Sequence, residues 1–76
     1  MKKIILYSKD NCIQCTMTKK FLATHHVKFE EKNINQNPEY ISQLKSAGFM
    51  QMPVVKASGQ NAFSGFRPDK LNQLAI

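Results

Sequence analysis

Cys12 and Cys15 are the only two cysteines of the 76-residue chain, and they stand as C-x-x-C. A disulfide between them would close so short a loop that it removes little entropy from the unfolded chain. The pair is therefore better read as chemistry than as a staple. Dithiol–disulfide exchange uses this spacing, and so do zinc half-sites. Exchange needs one nucleophilic thiol and a second that attacks the resulting mixed disulfide. A helix N-terminus separates those roles, because its unpaired N–H groups favour a thiolate on the first cysteine. On this reading Cys12 is the nucleophile and Cys15, on the buried face, resolves the mixed disulfide. Lys9 adds to the favourable field and Asp10 opposes it. His25 and His26 are adjacent, whereas zinc-site histidines are spaced about three to five apart, so the pair reads as a helix end.

The flanking residues supply the elements this chemistry needs. Ile4 to Tyr7 is a short apolar run, as in a strand buried on both faces. A polar loop, Ser8 to Asn11, follows it. From about Ile13 the spacing turns helical, with Cys15, Thr18, Phe21, Leu22 and His25 on one side. Val27 to Ile34 alternates and predicts a second strand, with Val27, Phe29 and Glu31 on one side. Asn37-Pro38-Glu39 predicts a helix start with Asn37 as N-cap, and Gly48 its end. Ile41, Leu44 and Ala47 would be that helix's apolar stripe. Pro53-Val54-Val55 and Ala62-Phe63-Ser64 predict a hairpin across the turn Ala57 to Gln60. Arg67-Pro68-Asp69 predicts a last helix, with Leu71, Leu74 and Ala75 inward. The order is βαβαββα: one α/β domain over residues 1–76, with a four-stranded mixed sheet flanked by three helices.

Composition narrows the function. A chain this short holds one small core, and its 42% hydrophobic content is that of a folded domain. The net charge is +6, but the 11 Lys and Arg residues are scattered. That predicts encounter with acidic partners rather than nucleic-acid binding. The apolar run after Lys2-Lys3 is too short for a secretion signal and nothing approaches a membrane span, which predicts a cytoplasmic protein. In that compartment a C-x-x-C is more often catalytic or metal-binding than structural.

Three segments carry a family resemblance: Cys12-Ile13-Gln14-Cys15, Gly48-Phe49 with Met52-Pro53-Val54-Val55, and Ser64-Gly65-Phe66-Arg67-Pro68-Asp69. Through them the whole chain resembles thioredoxin-fold proteins of glutaredoxin size. It is most similar to the NrdH-redoxin family, glutaredoxin-like hydrogen donors of class Ib ribonucleotide reductase. The resemblance implies a thioredoxin fold and a redox pair at Cys12 and Cys15. It implies a cis Met52–Pro53 bond facing the pair, and a second loop, Ser64 to Asp69, beside the site. Lys9, Ile13, Gln14, Met52, Pro53, Ser64, Gly65, Phe66 and Arg67 would then contact the partner. A substrate tail would lie between Met52-Pro53 and the Ser64–Phe66 loop, its acidic stretch favoured by Arg67 and Lys9.

The resemblance also implies partners. Thioredoxin reductase, drawing on NADPH, would reduce the chain, and the C-terminal cysteine pair of a class Ib ribonucleotide reductase large subunit would accept its electrons. No bound cofactor is expected, and the protein is expected to be a monomer. The chain lacks the Cys-Pro-Tyr-Cys of many glutaredoxins and the paired-glycine pattern of those that use glutathione; it also lacks tryptophan. Glutathione-dependent glutaredoxin is one alternative, with Asp69 offering a carboxylate to an amino group. A copper carrier is another, but those chains run βαββαβ with Met two residues before the first cysteine, where this chain has Asp10.

Overall fold

The structure, a computed structural model, describes residues 3–74. The elements run β1 (Ile4–Ser8), α1 (Ile13–Thr24), β2 (Glu30–Asn33), α2 (Glu39–Ser46), β3 (Val54–Ala57), β4 (Phe63–Ser64) and α3 (Pro68–Leu74). This is the predicted βαβαββα order, not the βαββαβ of copper carriers. The sheet order is β2-β1-β3-β4. β1 pairs with β2 in parallel (Leu6 opposite Glu31) and with β3 antiparallel (Leu6 opposite Val55). A parallel neighbour needs a long crossover, and α1 provides it. β3 and β4 form the expected hairpin, Val55 opposite Phe63.

Alternation along β1 splits the core into two layers. Ile4 and Leu6 point to one face and pack with Leu22 of α1, Val55, Phe63, and Leu71 and Leu74 of α3. Tyr7 points to the other face and packs with Val54 and Leu44 of α2, with Ile34, Tyr40 and Phe49 at the margin. The end of β1 is thereby clamped from both sides, and the loop that follows it leads to Cys12 and the start of α1. Leu71 and Leu74 are inward as expected, while Ala75 lies outside the described residues.

α1 ends where His25-His26 predicts. His26 takes a left-handed backbone, φ 58°; its N–H donates to the Ala23 carbonyl and that of Val27 to Leu22. This is a Schellman closure. It also explains why β2 is shorter than the predicted Val27 to Ile34. The Val27 N–H is spent on α1, and pairing with β1 begins only at Glu30 opposite Ile5. Val27 and Phe29 instead pack against the α1–α3 layer. A Cβ in the left-handed region costs about 1–2 kcal/mol, part of which glycine's greater freedom in the unfolded chain takes back. His26→Gly is therefore expected to stabilise the protein by about 0.5–1 kcal/mol. A higher urea midpoint at unchanged slope would show it.

α2 departs from the reading of its start. Asn37 does not cap it through its side chain; Pro38 holds the cap position with helical dihedrals, φ −60° and ψ −20°. Proline's ring sets that φ in advance. The first turn is closed by backbone alone, Tyr40 N–H to the Asn37 carbonyl and Ile41 N–H to Pro38. The predicted stripe also thins: Leu44 is buried, whereas Ile41 and Ala47 are exposed. Gly48, at φ 91°, ends the helix as expected and turns Phe49 back onto the Leu44 layer.

Candidate active site

The loop after β1 is pinned before it reaches the first cysteine. Asp10 N–H donates to the Asn35 side chain at 2.7 Å, and the Asn33 amide donates to the Asp10 carboxylate at 3.0 Å. Asn11 then takes a left-handed backbone, φ 56°, and turns the chain into α1. Cys12 is the N-cap: its sulfur accepts the Cys15 N–H at 3.2 Å. A sulfur thus occupies the position a cap oxygen usually fills. The Cys12 thiol also lies 3.9 Å from the Met52 carbonyl oxygen, and the Met52–Pro53 bond is cis.

The two thiols differ in access. Cys12 is partly exposed, whereas Cys15 is 1% exposed beneath it. Burial first, and then the hydrogen bond with the Cys12 thiol, push the Cys15 thiol up from an ordinary 9.0 to about 11. The Lys9 backbone N–H and the Lys19 ammonium act the other way. The predicted ranking, exposed helix-start sulfur and recessed partner, is what the geometry provides.

The remaining predicted site residues fall into two groups. Lys9, Ile13, Gln14 and Met52 line the open space around Cys12. A cleft of about 760 Å³ lies on the β2 side, lined by Lys9, Asp10, Cys12, Cys15, Lys19 and Asn33 among others. A second, of about 460 Å³, is lined by Lys9, Cys12, Ile13, Met50, Gln51 and Met52 among others. Ile13 is 79% exposed and Met50 77% exposed. Two large apolar side chains therefore stand in water beside the reactive sulfur. Met50 was not singled out from the sequence; only its placement against Cys12 makes it notable.

The second group lies at the end of β4 and on the loop after it, which are bonded to β3 and to α1. Ser64 pairs with Val54 across the β3–β4 hairpin. The Gly65 N–H donates to the Pro53 carbonyl at 2.8 Å, so the two loops predicted to flank a substrate tail are bonded to each other. Neither cleft beside Cys12 is lined by residues 64–67. Gln14, between the cysteines, accepts the Phe66 N–H through its side-chain oxygen at 3.2 Å and ties α1 to this loop. Gly65 takes φ 81°, a left-handed backbone that side chains rarely adopt, while a Cβ there would make only ordinary contact, 3.5 Å, with the same oxygen. The Phe66 ring packs edge-on against Phe21, centroids 6.4 Å apart. The Arg67 guanidinium is engaged by its own loop, 3.2 Å from the Asp69 carboxylate. Arg67 also holds the Asp69 carboxyl below the usual carboxylate range.

The glutaredoxin family profile matches residues 4–61, which include the whole thiol site. The glutaredoxin-like protein NrdH of Lactococcus lactis is 44% identical over 72 residues, 95% of this chain and 99% of that one. The chain belongs to the NrdH-redoxins of the glutaredoxin family. The solved NrdH-redoxin of Escherichia coli, described as having a thioredoxin-like activity profile, superposes with a TM-score of 0.89. That pair is 39% identical over 95% of this chain and 93% of that one. The glutaredoxin of Archaeoglobus fulgidus superposes less closely, with a TM-score of 0.77 and 26% identity over 97% and 86% of the two chains.

This NrdH-redoxin is thus a glutaredoxin-like redox protein with a thioredoxin fold. Among its described residues no group of three or more His, Cys, Asp or Glu side chains is placed to hold a metal ion. No helix among them is long and apolar enough to cross a membrane.

Proposed function

We propose that this NrdH-redoxin is a cytoplasmic, monomeric dithiol donor without a bound cofactor. It draws electrons from NADPH through thioredoxin reductase and passes them to the C-terminal cysteine pair of a class Ib ribonucleotide reductase large subunit. The observation that carries the reading is the stacked thiol pair: Cys12 half-exposed at the helix cap and Cys15 buried behind it. The Cys12 thiolate attacks one sulfur of the acceptor disulfide, forming a mixed disulfide and releasing one acceptor thiolate. Cys15 then attacks the Cys12 sulfur. The mixed disulfide breaks, the Cys12–Cys15 disulfide forms, and the second acceptor thiol leaves reduced. Two electrons have passed to the acceptor, and each departing thiolate takes a proton from water.

Thioredoxin reductase is favoured over glutathione as the electron source by two observations. The Escherichia coli relative is described by its thioredoxin-like activity profile. Asp69, the carboxylate that glutathione's amino group would need, is already paired with Arg67. Ile13 and Met50 suit a partner that lays apolar side chains beside its disulfide. Lys9, exposed at the rim of both clefts, is the cation placed to meet an acidic stretch of that partner.

Two NADPH-consumption assays test the reading. With thioredoxin reductase and an excess of disulfide substrate, turnover is expected to follow the concentration of this protein. With glutathione and glutathione reductase it is expected to stay at background; fast glutathione turnover would move the chain among the glutathione-dependent glutaredoxins. Reduced protein as sole donor is also expected to sustain ribonucleotide reductase, and failure there would leave a general disulfide reductase.

A further inference from the structure

The resolving thiol poses a problem that the Cys12 site does not solve. Cys15 must attack as a thiolate, yet it is 1% exposed and burial disfavours its charge. One helical turn on, Lys19 lines the same cleft as Cys12 and Cys15. Its ammonium does not float free. It lies 3.1 Å from the Glu31 carboxylate, and the same Glu31 oxygen accepts the Ser8 hydroxyl at 2.6 Å. Ser8 is fully buried at the end of β1. A lysine on α1 is therefore held at the cleft that both thiols line by a glutamate on β2 that is itself anchored to the central strand.

We propose that Lys19, held in place by Glu31 and Ser8, stabilises the Cys15 thiolate during resolution of the mixed disulfide. The proposal rests on the roles given above to Cys12 and Cys15. Other charged or titratable groups around Cys15 do not serve as well. Cys12 is spent in the mixed disulfide at that step, and Asp10 carries the wrong sign. The Lys9 side chain is exposed at the cleft rim. The Met50–Pro53 segment carries no titratable side chain. Glu31 sits below the usual carboxylate range, because of the Ser8 hydroxyl and then Lys19. It stays charged near neutral pH and acts as an anchor for Lys19 rather than as a base. The Cys15 proton leaves to water in the open cleft.

The test uses one equivalent of uncharged dithiodipyridine and the reduced protein. Attack by Cys12 releases one thiopyridone, and attack by Cys15 on the Cys12 mixed disulfide releases the second. An opposite charge nearby shifts a pKa by about one unit or more. Losing it lowers the thiolate fraction about tenfold, while the more basic thiolate regains about threefold in nucleophilicity. In Lys19→Met the second release is therefore expected to slow about threefold at pH 7, with the first release affected less. Its pH–rate profile should also move about one unit upward. Lys19→Arg should restore both rate and profile. Lys20→Met, which removes the same charge from the adjacent position, should change neither. An unaltered second release in Lys19→Met, or equal slowing in Lys20→Met, would overturn the proposal. A Cys15→Ser protein that still gave both releases from one equivalent would instead overturn the assignment of Cys15 itself.

Discussion

Cys12→Ser is expected to reduce disulfide reductase activity to background, while Cys15→Ser keeps the first chemical step and stops at the second. The asymmetry follows from access and position. Cys12 is the partly exposed sulfur at the helix cap, and nothing else in the chain can take its place as nucleophile. Removing a nucleophile of this kind costs on the order of 10³-fold or more. Cys15 is sealed beneath it, so an external disulfide meets Cys12 first. In Cys15→Ser the Cys12 mixed disulfide has no internal attacker and accumulates. Intact mass spectrometry after mixing with a disulfide substrate would show the adduct on that variant and not on the parent. Iodoacetamide labelling of the reduced parent near neutral pH should reach Cys12 first. Preferential labelling of Cys15 would reverse the two roles.

The reduced protein is expected to lose about 2–3 kcal/mol of stability as pH rises from about 8.5 to 11. The cause is the buried Cys15 thiol, pushed from 9.0 to about 11 in the folded state. In the unfolded chain the same thiol ionises near its ordinary pKa. Between the two values the unfolded state binds fewer protons than the folded one, so stability falls with rising pH. The contribution is fully present below the unfolded pKa and gone above the folded one. Cys15→Ala removes this dependence and isolates it from the lysines and tyrosines that titrate nearby in pH. Urea unfolding of reduced parent and variant at pH 8 and pH 10.5 measures the difference. Parallel losses in the two proteins would mean that Cys15 ionises as freely when folded as when unfolded. A stable domain carries only about 5–15 kcal/mol in total, so the reduced form is markedly weaker in alkali.

Much of this chain can be read from short stretches, because the controlling interactions are local. Cys12 and Cys15 share one helical turn, and the cap geometry that sets them apart is decided by the residues beside them. The same holds for the left-handed closures at His26 and Gly48, and for the β3–β4 hairpin. The apolar run of β1 and the helical spacing along α1 were enough to place Leu6, Leu22 and Cys15 inside. Two of the departures were local competitions. Pro38 took the cap that Asn37 was expected to hold, and the Val27 N–H went to α1 instead of to a longer β2.

What the tertiary structure alone decided is which distant residues share the site. Gln14 reads as a variable residue between two cysteines, yet it is the acceptor that holds Phe66, 52 positions away. Arg67 reads as a cation for a partner, and folding gives it to Asp69. Met50 becomes a neighbour of Cys12 only because the loop before Pro53 folds over α1. Ser8, Lys19 and Glu31 carry no motif and no periodicity that marks them as a set. They meet because parallel pairing of β1 with β2 sets Glu31 opposite Leu6, beside Ser8, while α1 crosses above and brings Lys19 to the same point. The thiol chemistry is written in four adjacent residues. The electrostatic setting of its second step depends on strand register, which the packing of the whole domain sets.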